Sequence, residues 1–281
     1  MRHVSAHAPN APSALASIFH DNRALIGMVH VDALPGAPDA HREPDEIATR
    51  AAAEARTLAD AGFDAIIIEN MHDRPYVMDV GPEVVACMTR VGLAVRTAAP
   101  GLALGVQILS RSGRQTLAVA HALGAAFVRI ENFAYAHVAD EGLMPTAEAG
   151  ALLRYRRAIG AERIAVFADV KKKHASHAIT ADLSLADACR GAAFFHADGV
   201  IVTGDRTGEP PSSADLAEAR AATDLPIFVG SGATGQTLPA MLTHADGIIV
   251  GSALKSDGVW SNPLDPDRCR AMVSAFHAVR D

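Results

Sequence analysis

The reactive side chains of this chain gather at the ends of short apolar runs. In Phe167-Ala-Asp-Val-Lys-Lys-Lys-His174, the residues Asp169, Lys171 and Lys173 alternate, so a continuing strand would carry all three on one face. An Asp beside a Lys lowers the carboxylate pKa and holds the ammonium in place, which suits acid–base work or an anionic substrate. A Lys in a low-dielectric pocket could instead act as a Schiff-base nucleophile. The plainer alternative, which weighs most on Lys172, Lys173 and His174, is a solvated basic loop at a strand end.

Two further runs end in Glu-Asn, at Glu69-Asn70 and Glu131-Asn132. Arg129 lies two residues before Glu131, hence on the same face, and is expected to pair with one or both glutamates because a lone charge there is costly. Gln107 ends another run and offers an amide. His30 and Asp32 form an HxD. Two ligands fall short of the three or four a metal site needs, and Glu69 and Asp169 join them only by location. No metal or cofactor is assigned, although a divalent ion is left open.

The sharpest pattern is a pair of small-residue turns, Val229-Gly-Ser-Gly-Ala233 and Val250-Gly-Ser-Ala-Leu-Lys255. Glycine lets a backbone approach an anion, and successive N–H groups can form a concave nest. Gly230, Ser231, Gly232, Gly251 and Ser252 are therefore the expected phosphate site. The Ser231 and Ser252 hydroxyls are potential donors, and a short helix over Ser252–Ser256 would face the anion with its N-terminus.

These residues need elements to position them. Eight β-branched runs, too uniformly apolar for a one-sided sheet, lie near Leu25–His30, Asp64–Glu69, Leu102–Ile108, Ala126–Glu131, Arg163–Asp169, Gly199–Thr203, Pro226–Val229 and Gly247–Val250. Helical stretches follow each: Ile47–Asp60, Pro82–Ala98, Arg114–Leu123, Thr146–Ile159, Leu183–Phe195, Ser213–Ala222, Gln236–Leu242 and Pro266–Val279. Strands buried on both faces and separated by helices imply a parallel sheet, and eight such units predict a single α/β fold, the (β/α)₈ TIM barrel. The predicted division is an N-terminal arm with a short helix over 1–23 and the barrel over 24–281. Ala197-Asp-Gly-Val-Ile-Val-Thr-Gly204 nearly repeats as Ala245-Asp-Gly-Ile-Ile-Val-Gly-Ser252, as a repeated βα unit would leave behind. In such barrels the active site lies on the loops after the strands, which is where every residue above falls. Long loops after the first two strands suit lids, and Thr203 and Asp205 in Thr203–Pro211 join the substrate-contact candidates with Asp32, Asn70, Gln107, Arg129 and Lys173.

Composition narrows the setting. Apolar residues make up 49% of the 281 residues, enough for a large core, and a net charge of −7 gives no basic footprint for nucleic acid. Cys87, Cys189 and Cys269 lack CxxC or Cys/His spacing, which argues against disulfides and for a cytoplasmic protein. No apolar run approaches the roughly 18 residues of a membrane span.

Several segments resemble one family in order along the chain. They are Ile26-Gly-Met-Val-His30 with Leu34-Pro-Gly36, Ile67-Ile-Glu-Asn70, Ala168-Asp-Val170 with Lys173-His-Ala175, and Val202-Thr-Gly204 with Arg206-Thr-Gly-Glu-Pro210. Gly230-Ser-Gly232 and Gly251-Ser252 with Lys255-Ser-Asp-Gly258 complete the set, which is similar to the BtpA family from about residue 24 onward. Gln107 where members carry Asn, the basic Lys171-Lys172, and Gly204-Asp-Arg206 are departures. The resemblance implies a ribulose-phosphate-binding type of barrel. Namesake members are associated with photosystem I biogenesis, and relatives in non-photosynthetic bacteria imply an older metabolic role.

Two functional expectations follow. The first is an enzyme for a phosphorylated small molecule, of isomerase, lyase or hydrolase type. In it Asp169 and Lys171 transfer protons, Glu69 and Glu131 position hydroxyls, His30 is a further catalytic candidate, and the chain forms a homo-oligomer. The second is a non-catalytic binding or assembly factor.

Overall fold

The computed structural model describes residues 18–19, 23–204 and 208–280. The remainder of the arm, most of its expected short helix, and Asp205 lie outside the described residues. Eight strands run β1 Ala24–His30, β2 Ala65–Glu69, β3 Ala103–Gln107, β4 Phe127–Ile130, β5 Ala165–Val170, β6 Gly199–Val202, β7 Ile227–Val229 and β8 Gly247–Val250. They pair in parallel in chain order, and β8 closes on β1, so the sheet is a barrel. The helices between and after them are α1 Pro44–Ala61, α2 Pro82–Ala98, α3 Gly113–Leu123, α4 Ala149–Ala158, α5 Leu185–Phe194, α6 Ser213–Ala222, α7 Leu238–Leu242 and α8 Pro266–Arg280.

Local chemistry sets several of these boundaries. Pro44 and Pro82 open α1 and α2, where a missing N–H costs nothing. Ser184 and Ser212 form capping boxes with Asp187 and Asp215 at the starts of α5 and α6. The repeated Asp before a strand also finds its reason. Asp64, Asp198 and Asp246 accept the backbone N–H of Leu25, Val166 and Ile227 at 2.7, 2.9 and 2.8 Å, each clamping the start of a neighbouring strand.

The period of two sends alternate residues into the barrel. Ala24, Ile26 and Met28, Ala65 and Ile67, Phe127, Phe167, Ile201, Phe228 and Ile249 form one interior cluster, and Phe19 joins it. Three phenylalanines fill most of that space and need glycine beside them. A Cβ on Gly105 would lie 2.3 Å from Phe127, one on Gly199 2.8 Å from Phe167, and one on Gly247 2.5 Å from Phe228. Small and large residues thus interlock between neighbouring strands. A second, larger cluster lies between strands and helices.

One excursion is added to the plain barrel. After β4, His137–Ala139 and Gly142–Met144 form a hairpin, and Ala175–Ser176 from beyond β5 pairs with its first strand. This antiparallel sheet covers one side of the barrel mouth.

Candidate functional site

Inward alternation places a polar layer above the apolar interior. His30 aligns with Glu69, and Glu69 with Gln107, across β1, β2 and β3. This layer opens into a cavity of about 540 Å³ at the C-terminal ends of the strands. His30, Glu69, Arg129, Glu131, Lys173, Gly230, Ser231, Gly232, Gly251 and Ser252 all line it, so most of the expected site is brought together.

Asp169 and Lys171 do not sit as the alternation predicted. The strand ends at Val170 and Lys171 adopts φ 45°, so the inward face is not continued. Lys171 turns outward and its Nζ donates to the Leu183 carbonyl, while the cavity receives Lys172 and Lys173 instead. The Asp169 side chain is 0% exposed and accepts two bonds from Arg129, from Nε at 2.9 Å and Nη2 at 3.0 Å. Arg129 therefore pairs with Asp169 rather than with a glutamate. Burial alone would lower the guanidinium pKa, but the carboxylate opposite it more than offsets this and keeps it charged. Burial pushes the Asp169 carboxyl up, and Arg129 counteracts it.

Glu131 is taken by Lys172, whose Nζ lies 3.1 Å from Oε2, and receives a long 3.4 Å contact from Gln107. Burial opposes the Lys172 charge, and Glu131 restores it. Glu69 has no such partner. Burial first, and then the Glu131 charge against the pull of Arg129, raises its carboxyl from 4.5 to about 7. His30 Nδ1 lies 3.1 Å from the Trp260 carbonyl, so this nitrogen carries the proton and Nε2 presents a lone pair. Nε2 is 3.8 Å from Glu69 Oε2, but burial and then Lys255 lower His30 to about 3, so the two do not form an ion pair at neutral pH. Gly251 permits this placement, because a Cβ there would lie 3.2 Å from the imidazole.

At the opposite side of the mouth, the backbone N–H groups of Gly232, Ala233, Ser252 and Ala253 have no hydrogen-bond partner among the described residues. The Ser231 hydroxyl is not a free donor. It donates to the Glu209 carbonyl at 2.8 Å and accepts from the Gly204 N–H at 2.9 Å, bracing the loop after β6. Gly232, at φ +69°, lets that loop close, since a Cβ would lie 2.1 Å from the Pro210 nitrogen. The expected helix at Ser252–Ser256 is a single 3₁₀ turn, Ser252–Leu254, too short for a useful dipole.

The other expected contacts serve structure. Asp32 faces Arg50 at 2.6 Å and Arg42 at 3.8 Å, so the HxD does not converge. Asn70 donates to Asp73 and accepts the Leu109 N–H, fixing the loops after β2 and β3. The Thr203 hydroxyl accepts the Lys173 N–H at 3.0 Å and so orients the lysine. Among the described residues, no group of three or more His, Cys, Asp or Glu is arranged to hold a metal.

Sequence reasoning missed the wall of the cavity made by Met71, Arg74, Tyr76 and Trp260. Trp260 packs against His72 with ring centroids 4.9 Å apart and carries the Arg74 guanidinium at 4.9 Å from its centre. A lone Trp in the loop after the last strand was the available signal. Asp140 and Glu141 also line the cavity, brought there by the hairpin. Lys255 is not in the mouth. It lies buried beneath the last loop, 2.8 and 2.9 Å from the two carboxylate oxygens of Glu54.

Comparison with known proteins adds lineage to this geometry. The model of the BtpA family matches residues 21–278. An uncharacterised protein of Caenorhabditis elegans, described as mitochondrial, is 40% identical over 272 residues, covering 95% of this chain and 98% of the relative. The photosystem I biogenesis protein BtpA of Synechocystis is 36% identical, covering 93% of this chain and 91% of its own. Among solved structures, thiamine phosphate pyrophosphorylase from Pyrococcus furiosus superposes with a TM-score of 0.58 at 12% identity, covering 92% of this chain and 98% of the other. A 3-hexulose-6-phosphate synthase gives 0.55 at 17% identity, with 90% and 99% covered. At such identities the likeness is one of fold.

Proposed function

Because this chain belongs to the BtpA family, with the matched region spanning the entire barrel, we propose that it is an enzyme acting on a phosphorylated small molecule. Phosphate sits on the backbone N–H groups after β7 and β8, and Glu69 moves protons on the bound substrate. The observation that carries this reading is that four unpartnered N–H groups and a carboxyl titrating near neutrality line one cavity. Backbone donors bind an anion without bringing a competing charge, and a carboxyl at about 7 is suited to both give and take a proton. The barrel neighbours support the ligand class, since the names of thiamine phosphate pyrophosphorylase and 3-hexulose-6-phosphate synthase specify phosphorylated compounds. Asp169, sealed behind Arg129, orients that guanidinium rather than reacting.

Calorimetric titration with inorganic phosphate tests the reading. Saturable binding is expected for the parent protein and at least tenfold weaker binding for Gly232→Ala, whose Cβ would displace the Pro210 loop. Absent binding, or equal binding by both proteins, would count against it.

A second reading, a binding or assembly factor, draws on the name of the Synechocystis relative and on the exposed Phe194 and Phe195 at 79% and 48%. It requires Glu69→Gln to retain full biological activity. Under either reading we place the chain in a reducing aqueous compartment, in line with its three buried, unpaired cysteines. Among the described residues no helix is long and apolar enough to cross a membrane.

A further inference from the structure

Only four of the 25 lysine and arginine residues are lysine, and all four lie at the mouth or beneath its loops. Three have partners: Lys171 bonds the Leu183 carbonyl, Lys172 pairs with Glu131, and Lys255 is held by Glu54. The Lys173 ammonium has no hydrogen bond or ion pair among the described residues, yet its side chain lines the cavity. Its backbone is fixed by the N–H···Oγ1 bond to Thr203, so the side chain rises from an anchored position. Lys173 is half-buried, and a structural lysine so enclosed is ordinarily paired, because taking an unpaired ammonium out of water is costly. Burial and then Arg129 lower the Lys173 pKa, against the pull of Glu69, Asp169 and Glu131, which favours the neutral and therefore nucleophilic amine.

We propose that Lys173 Nζ forms an imine with the carbonyl of a phosphorylated ketone or aldehyde, its phosphate bound after β7 and β8. This rests on the phosphate reading above for the second half of the ligand, but not for the nucleophile. The amine lone pair attacks the carbonyl carbon, and the carbonyl π pair becomes an alkoxide that takes a proton from Glu69. The nitrogen returns one proton to Glu69. Its lone pair then expels the hydroxyl, which leaves as water after taking that proton again. In total, one amine, one carbonyl and one proton give one iminium ion and one water, and Glu69 is left ionised. The iminium withdraws electrons from the adjacent carbon, so the chemistry served is breaking a C–H or C–C bond there. That points to isomerase or lyase activity rather than hydrolysis.

The test uses the full chain with pyridoxal 5′-phosphate, an aldehyde that carries phosphate, followed by borohydride reduction and peptide mapping. At pH 7.5 the expected result is one adduct per chain at Lys173, at least tenfold above the other three lysines together, and none there in Lys173→Met. The α-amino group maps to a separate peptide. Pyridoxal without phosphate should label the same lysine at least tenfold more slowly. Equal labelling by both aldehydes would defeat the phosphate reading and leave the nucleophile standing. Labelling by pyridoxal 5′-phosphate at another lysine, or at none, would overturn the assignment of Lys173.

Discussion

Replacing Glu69 with Gln should stabilise the protein at alkaline pH while removing the proposed proton donor. The folded carboxyl keeps its proton to about pH 7, whereas the unfolded one releases it near 4.5. Between those values the folded state binds more protons, so stability falls as pH rises, and the loss is complete above about 7. For a carboxyl moved that far, the cost is about 3 kcal/mol at pH 8 and about 1 kcal/mol at pH 5. Little solvent discount applies, because the side chain is 9% exposed. Glutamine carries no charge and removes the cost at both values. With about 2 °C per kcal/mol in a chain of this size, the variant should melt about 6 °C higher than the parent at pH 8 and about 2 °C higher at pH 5. Scanning calorimetry of both proteins at the two pH values reads this directly. Glu148, also raised to about 7 by burial, and the depressed His137 act in both proteins and cancel in the comparison. A variant that melts at or below the parent at pH 8, or whose gain does not grow with pH, would refute the reasoning.

Three other outcomes are expected. Asp169→Asn leaves the buried Arg129 guanidinium short of its partner and should cost about 3 kcal/mol, seen as a lower urea midpoint. Lys255→Met should destabilise by a similar amount, about 3 kcal/mol, while adding Glu54→Leu should recover most of it, since an apolar pair can replace a buried ion pair. Burial pushes the thiols of Cys87, Cys189 and Cys269 up, to about 12 and about 11 for the latter two, so a disulfide reagent at pH 8 should find no reactive thiol until denaturant exposes all three.

Much of the barrel could be read from sequence because buried parallel strands leave unbroken apolar runs. The limits of every barrel strand but β5 follow those runs within one residue, and His30, Glu69, Arg129, Glu131 and the small-residue turns after β7 and β8 fell into one cavity as strand alternation requires. What was not legible depended on where alternation stops. Asp169 and Lys171 look like partners only if the strand continues, and a single positive φ at Lys171 separates them. The choice of Asp169 over the glutamates for Arg129 is a matter of adjacent strands, β4 beside β5, which spacing along the chain does not encode. Nor does sequence reveal that the Ser231 hydroxyl is consumed by a loop more than twenty residues away. The hairpin at His137–Met144 is short and half-polar, so it lacks the run that marked every barrel strand.

Trp260 gives this fold its own optical probe. It is the sole tryptophan of the chain, it stands in the cavity wall, and its carbonyl holds the proton-bearing nitrogen of His30. Intrinsic emission excited at the red edge therefore comes from one location, with no background from the core or the outer helices. A molecule entering the mouth must alter the polarity or the stacking around that indole, beside His72 and Arg74. Candidate metabolites can thus be screened by fluorescence on the unlabelled protein, each signal arising in the wall of the proposed site.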